Sequence, residues 1–446
     1  MKKILPILFL LIVRSAMAQL NFSGMADSPV VITPDKSTGL EYVYVIDNTD
    51  GNAVVSYKAA SESATVTWEQ WGAQGGAYAS EMTGLTRQGN VWSVKAPAAD
   101  TGFTITENGR PRSFWVTNYA NHRLELHDLV PENGGTDCNS TTLILHGNAS
   151  PIRYYSINGR AVELSRELAL TYRTQQYDET MAAFTDTEKT EQIASVSGNS
   201  IHAPAPLCNT TFILTGDRFL TAWHRPQQVE SPIISPTAVA AHTTAVQAER
   251  DNDNEQKEEA ALGGSAPVDI TFTAAVSDAS IFRQWEFARD PEFDIPDVTY
   301  SDLELTYTFT DAGTTYVRFT AANADGSCEW VSDTYEVFVG ESALLCPNAF
   351  SPGGSPGVND IWKVSYKSIV SFACSIFNRW GVKIISFDDP SQGWDGKHNG
   401  KLVQSGVYYY VIKATGADGK QYDLAGDINI INSTYTGNGT SPTEPQ

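Results

Sequence analysis

The sequence predicts an all-β chain of tandem β-sandwiches, on three observations. Apolar and polar residues alternate with period two in short runs such as Leu40-Glu41-Tyr42-Val43-Tyr44-Val45-Ile46, the pattern of a strand with one buried face. Turn residues separate these runs throughout, with 34 Gly and 21 Pro in 446 residues, at a spacing of about ten positions typical of sandwiches. Beyond the N-terminal stretch no long apolar run repeats every 3.6 residues, so helix is expected to be scarce.

The elements follow in order. Lys2 and Lys3 precede an apolar stretch over residues 4–13 and the small-residue site Ala16-Met17-Ala18. That order marks residues 1–18 as a secretory signal peptide, with the mature chain expected from Gln19. The apolar stretch is too short to cross about 30 Å of hydrocarbon. No later run is long enough either, so no transmembrane segment is expected in the mature chain. The first cysteine is Cys138, so no lipid-accepting cysteine follows the cleavage site.

Residues 28–134 read as an Ig-like β-sandwich, with strands around Val54-Val55-Ser56-Tyr57, Ala64-Thr65-Val66-Thr67-Trp68 and Ser113-Phe114-Trp115-Val116-Thr117. Trp68 and Trp115 are expected in its core. The alternative for Trp68, Trp71 or Trp92 is an open ring that stacks on a sugar. A second Ig-like sandwich is expected over 136–247, with Asn158-Gly159 as a hairpin turn. Phe219-Leu220-Thr221-Ala222-Trp223 and Thr237-Ala238-Val239-Ala240-Ala241 are its expected last strands. Residues 248–265 then read as an acidic linker or exposed loop, because 249–259 hold six acidic residues and almost nothing apolar. Asp251-Asn252-Asp253-Asn254-Glu255 offers oxygen ligands for Ca²⁺, but without the glycine and distal glutamate of a calcium loop. The expectation is therefore a solvated linker and no cofactor.

Residues 266–342 form a third module. Its phrases Phe282-Arg283-Gln284-Trp285-Glu286-Phe287 and Thr315-Tyr316-Val317-Arg318-Phe319-Thr320-Ala321, the latter following Asp311-Ala312-Gly313, resemble the PKD-like β-sandwich. The fourth module spans 345–432. Its ordered blocks are Pro347-Asn348-Ala349-Phe350-Ser351-Pro352, Gly357-Val358-Asn359-Asp360, Ile376-Phe377-Asn378-Arg379-Trp380-Gly381, Trp394-Asp395-Gly396 and Gly406-Val407-Tyr408-Tyr409-Tyr410. This series resembles the gliding-motility-associated C-terminal domain of Bacteroidetes. The resemblance implies a small β-sandwich that serves as the sorting domain, or export address, for type IX secretion, with the outer-membrane secretion machinery as partner. Read from the residues alone, Asn378-Arg379-Trp380-Gly381 is a turn after a buried strand. Trp380 is expected to pack in the core beside Trp394, and Gly381 to take positive φ. Where the family has a compact acidic turn this chain has Gly353-Gly354-Ser355-Pro356-Gly357, so no metal site is expected there. Residues 433–446 are expected to be a disordered tail.

Five cysteines in an exported chain read as disulfides. Cys138 and Cys208 open the parallel phrases Cys-Asn-Ser-Thr-Thr-Leu-Ile-Leu and Cys-Asn-Thr-Thr-Phe-Ile-Leu, so they are expected to join two sheets. Cys346 and Cys374, flanking motif strands of the sorting domain, are the second expected pair. Cys328 is then left over, unless it joins Cys346.

Thirty Lys and Arg against 52 Asp and Glu leave a net charge of −22, which repels nucleic acid and anionic membrane. The seven histidines show no zinc spacing, and there is no Gly-x-Ser-x-Gly elbow or phosphate loop. The chain is read as non-enzymatic: an exported surface or secreted protein with structural or adhesive duty toward a host or matrix glycan or protein. A glycan-binding surface protein is the alternative, and a glycoside hydrolase a lesser one.

Overall fold

Period-two alternation directs the two faces of each strand to different neighbours, and this chain uses both faces. The computed structural model describes residues 20–353, 357 and 359–431. The expected signal peptide over 1–18 and the expected tail over 433–446 lie outside the described residues. Strand, at 53%, far outweighs helix, at 3%. The chain divides into two compact units, one of the residues up to Gln175 with Asp186–Thr237, the other of Gln176–Thr185 with the residues from Ala238 onward.

In the first unit the leading sandwich pairs a four-stranded sheet with a six-stranded one. Tyr44, Trp68, Phe103, Phe114 and Val116 fill the space between these sheets. Alternate residues of the same six-stranded sheet, Val43, Val45, Trp71 and Trp115, face the other way. They join a larger cluster with Leu129, Leu143, Tyr154 and Phe212 of the second sandwich. Trp115 lies 5.3 Å from Trp71 and 5.5 Å from Tyr155, ring centre to ring centre. Trp68 thus fills the core expected for it, whereas Trp115 belongs to the seam between two sandwiches.

The second sandwich is built from the three-stranded sheet of Glu125–Thr136, Ser140–Asn148 and Ser200–Pro204 and a four-stranded sheet that includes Leu168–Asp178 and Phe212–Gly216. Where a strand was expected at 219–223 the chain forms a short helix, Arg218–Ala222. Asp217 is the cause: its Oδ1 accepts from Leu220 N at 3.0 Å, capping the first turn. The other oxygen of Asp217 accepts from Arg166 Nη1 at 2.6 Å and from Tyr119 Oη at 3.0 Å. Arg166 and Asp217 are 1% and 0% exposed. The guanidinium is otherwise satisfied by Ser150 O at 2.6 Å and His122 O at 2.7 Å. Burial, and then the Asp217 carboxylate, hold the Tyr119 hydroxyl well above its ordinary pKa.

In the second unit, Ala241–Gln247 pairs along its whole length with Val268–Val276, from Ala241 opposite Val276 to Gln247 opposite Ile270. Residues 237–240, expected in the last strand of the second sandwich, are not strand; the strand begins at Ala241 and belongs to the third sandwich. The acidic residues 248–265, expected as a linker or an exposed loop, connect two neighbouring strands of one sheet. Trp285, Phe272, Phe287 and Phe319 fill this sandwich. The fourth has a five-stranded sheet in the order Ala349–Phe350, Gln421–Ile430, Gly406–Gly416, Ile369–Phe377, Lys383–Phe387, with a two-stranded sheet of Ala343–Leu345 and Ser365–Lys367.

The cysteines depart from expectation. Cys138 and Cys328 are the disulfide-bonded residues, and Cys208, Cys346 and Cys374 carry thiols. Neither Cys138–Cys208 nor Cys346–Cys374 forms, and the alternative Cys328–Cys346 fails as well. Cys138 sits on an exposed turn whose backbone is held by the Asp137 carboxylate, 2.7 Å from Asn139 N and Ser140 N. Cys208 opens its strand from a buried position, so the two matching phrases point their first residues differently. Cys346 and Cys374 share one core, and both remain thiols there.

Removing one partner of a buried pair strands the other charge. Asp217→Ala is expected to destabilise the first unit by about 3–5 kcal/mol, and Tyr119→Phe by about 1 kcal/mol. Urea denaturation of the full chain followed by tryptophan fluorescence measures both.

Candidate functional site

The motif residues of the fourth sandwich separate into an interior set and an exposed hairpin. In the interior, Trp394 is 0% exposed, and its ring lies 5.4 Å from Phe350 and 5.1 Å from Tyr408. Its indole N–H donates to Lys397 O at 2.9 Å, and its backbone exchanges hydrogen bonds with Trp362 at 2.8 and 2.9 Å. Trp362, equally buried, donates its indole N–H to Pro347 O at 2.7 Å. Asn348 O accepts from Asn429 N at 2.8 Å, which seats the Ala349–Phe350 strand beside Gln421–Ile430. Tyr408 donates its hydroxyl to Gln404 O at 3.1 Å.

The loops are fixed by carboxylates. Asp360 accepts from Gly353 N at 3.2 Å and Gly357 N at 2.6 Å, and Ser351 N donates to Asn359 O at 2.8 Å. Asp360 is thus spent on backbone amides. Asp395 accepts from Lys397 N at 3.0 Å and pairs with Lys397 Nζ at 2.7 Å, and that lysine holds its carboxyl below the usual range. Gly396 follows at φ 74°, where a Cβ would meet Pro352 Cγ at 2.7 Å. Gly406 begins the long strand Gly406–Gly416.

Trp380 is a different case. It is 74% exposed, so the expectation that it fills the core beside Trp394 is overturned. The Asn378 side chain accepts from Trp380 N at 2.9 Å and Val382 N at 3.0 Å, and Gly381 sits at φ 80°. This closed turn carries the ring outward, with the Arg379 guanidinium 4.6 Å from its centroid. Beside the turn, alternate residues of Gly406–Gly416 present Val407, Tyr409 and Val411 to solvent. Tyr409 stands opposite Phe377 on one side and Asp427 on the other. The result is an apolar sheet face next to a projecting tryptophan and two cations, Arg379 and Lys383. The alternation of Val407-Tyr408-Tyr409-Tyr410-Val411 was visible in the sequence; that its outer half stays uncovered was not.

Other candidates resolve as structure. Trp68 and Trp71 are buried, and Trp92 is half-buried under Arg87 at 5.1 Å, so these rings offer no open sugar platform. Among the described residues no group of three or more His, Cys, Asp or Glu could hold a metal ion. In the acidic loop Asp253 pairs with Lys363, Glu255 with Arg250 and Glu258 with Lys367.

Two outcomes are expected. Trp380→Ala should leave thermal stability within about 0.5 kcal/mol, whereas Trp394→Ala should cost about 3–5 kcal/mol; calorimetry of the full chain separates them. Burial, and then the neighbouring Cys346, push the Cys374 thiol up to about 12. Its neutral form is favoured in the fold, so the stability it contributes is present below its ordinary value of 9.0 and fades as pH rises toward 12. At pH 8 the native protein should alkylate Cys374 at least about tenfold more slowly than the urea-unfolded chain, because the thiolate is the reacting form; mass spectrometry of the modified peptides reads this.

Comparison with known proteins gives two family matches. Residues 130–231, the second sandwich, match a fibronectin type III domain. Residues 344–430 match the CHU_C type IX secretion signal domain. Among solved structures, a tetra-tandem repeat from the extending region of a large adhesion protein is 13% identical over 87% of this chain and 97% of its own, at a TM-score of 0.22. A titin tandem is 11% identical over 64% and 92%, at 0.17. The fibronectin(III)-like modules of Clostridium thermocellum CbhA are 13% identical over 45% and 100%, at 0.18. No curated protein matches the chain. The chain thus carries, at residues 344–430, a match to the type IX secretion signal domain, and upstream, at residues 130–231, a match to the fibronectin type III domain.

Proposed function

We propose that this is an exported multi-domain β protein with structural or adhesive duty at or beyond the cell surface, addressed there by its fourth sandwich. The observation that carries the reading is the match of that sandwich to a type IX secretion signal domain. The three sandwiches before it supply length and surface rather than a reaction centre. The sandwich seam in the first unit, held by Trp71, Trp115 and Tyr155, gives the stiffness a spacer or adhesin needs. The partner of the fourth sandwich is the secretion machinery. Its contact surface is the Trp380 hairpin with the adjoining face of Val407, Tyr409 and Val411. Tryptophan and arginine are among the residue types most enriched at the energetic centre of interfaces, and the Trp380 ring is 74% exposed here.

The test is export in a host with type IX machinery. A chain lacking residues 344–446 should accumulate in the periplasm. Trp380→Ala should fold and melt like the parent yet reach the medium or surface at a level lower by about tenfold, the loss typical of a hot-spot residue. Parental export of Trp380→Ala would remove the hairpin from the contact. Export of the truncated chain would remove the address itself.

A further inference from the structure

The third sandwich spends far more chain than it needs to join two of its strands. Ala241–Gln247 and Val268–Val276 are adjacent and antiparallel, a geometry that a turn of about two to five residues closes. Here residues 248–267 intervene; Gly263–Gly264 pair with Phe338 and Val339 of the third sandwich, whereas residues 252–258 lie on the fourth. Gln256 N donates to Tyr366 O at 2.7 Å, and Tyr366 N donates to Asn254 O at 3.1 Å, with Glu255 in a parallel bridge to Tyr366. The strand Ser365–Lys367 has Ala343–Leu345 on one edge. The acidic loop occupies the other.

Side chains repeat the pairing. Asn254 Nδ2 donates to Val364 O and Pro390 O, both at 2.7 Å. Asn252 Nδ2 reaches Tyr366 Oη at 2.9 Å, and Gln256 Nε2 reaches Ser365 Oγ at 3.0 Å. Lys363 and Lys367 pair with Asp253 and Glu258, each at 2.6 Å. The returning half of the loop adds Ser368 N to Ser265 Oγ at 2.8 Å. Arg250 ties the loop's ends together, pairing with Glu255 while donating to Ser265 O at 2.7 Å and Pro267 O at 2.5 Å. The loop is therefore shaped before it docks.

We propose that residues 252–258, with Ser265 and Ala266 on the return, are a donor segment that completes the secretion signal domain, so that the unit which must fold for export begins at the third sandwich. This rests on the reading of the fourth sandwich as the export address. The stretch that matches the family, 344–430, omits the donor. Taken alone it would present the edge of Ser365–Lys367 with its N–H and C=O groups unpaired, open to any extended strand. The backbone carbonyls of Val364 and Pro390 would lose their amide donor as well. Carboxylates suit the donor because Lys363 and Lys367 flank the edge it fills.

The experiment uses the full chain. In the unaltered protein, the amides of Gln256 and Tyr366 should both be protected from hydrogen exchange and should open at one common rate. The triple variant Asn252→Ala, Asn254→Ala, Gln256→Ala should speed both by at least about tenfold, as loss of several hydrogen bonds in one opening unit requires, and should lower export several-fold. Asp251→Asn with Glu259→Gln, both exposed, should change neither. If the triple variant is not recovered folded, Asn254→Ala alone gives the same two readings. An unprotected Gln256 amide in the unaltered chain would overturn the proposal. So would a variant that loses protection yet exports at the parental level. If the chain lacking 344–446 is itself exported, the address reading fails. If that truncation is retained while the triple variant exports normally, only the donor role fails.

Discussion

Each sandwich in this chain has a strand whose second face or free edge is taken by its neighbour, and the architecture depends on that constraint. A strand that alternates inward and outward residues can serve one core only, unless something covers the other side. Along Arg110–Asn118, Phe114 and Val116 face one core while Trp115 faces another. The first two sandwiches therefore cannot separate without exposing two tryptophans. In the second unit the same need is met through the backbone, by an acidic loop laid on an open strand edge.

This second solution has a chemical logic. An apolar donor would be a hazard before docking, because exposed apolar strands associate with one another. A donor made of Asn, Gln, Asp and Glu stays hydrated until it meets complementary amides and lysines. Its affinity comes from direction rather than from burial. Such contacts are numerous and individually modest, and this is what a joint between two sandwiches requires.

Much of the architecture was legible. The all-β strand pattern follows from alternation and turn residues, and the last module was legible through its resemblance to a known family. The interior role of Trp394 was legible too. What failed has identifiable physical causes. Residues 249–259 read as a linker because hydrophobicity is what a sequence pattern detects, and this segment is anchored by side-chain amides and backbone groups. Trp380 read as core because a large ring beside a glycine turn normally packs. The Asn378 side chain closes the turn on Trp380 N and Val382 N and sends the ring the other way, which no residue count reveals. The two similar cysteine phrases suggested one bridge, but Cys138 lies on an exposed turn while Cys208 is buried. The strand at 241–247 went to the wrong sandwich because its partner, Val268–Val276, lies beyond the acidic loop.

Charge is spread unevenly over the second unit. Residues 238–341 hold twenty-one Asp and Glu against five Lys and Arg, whereas 342–431 hold seven Asp and eight Lys and Arg. The acidic sandwich thus acts as a tethered polyanion beside a nearly neutral domain that bares Tyr409, Val411 and Trp380. Colloidal repulsion between copies comes from the first, and the adhesive spot that would bring copies together lies on the second. In a dilute, low-salt medium of about 0.01 M the repulsion reaches roughly 30 Å and opposes close approach of the chains. In brine, or where acid discharges the carboxylates, the Debye layer or the charge itself collapses. Salt or acid thus removes the charge barrier around the bared face and leaves its apolar area unchanged.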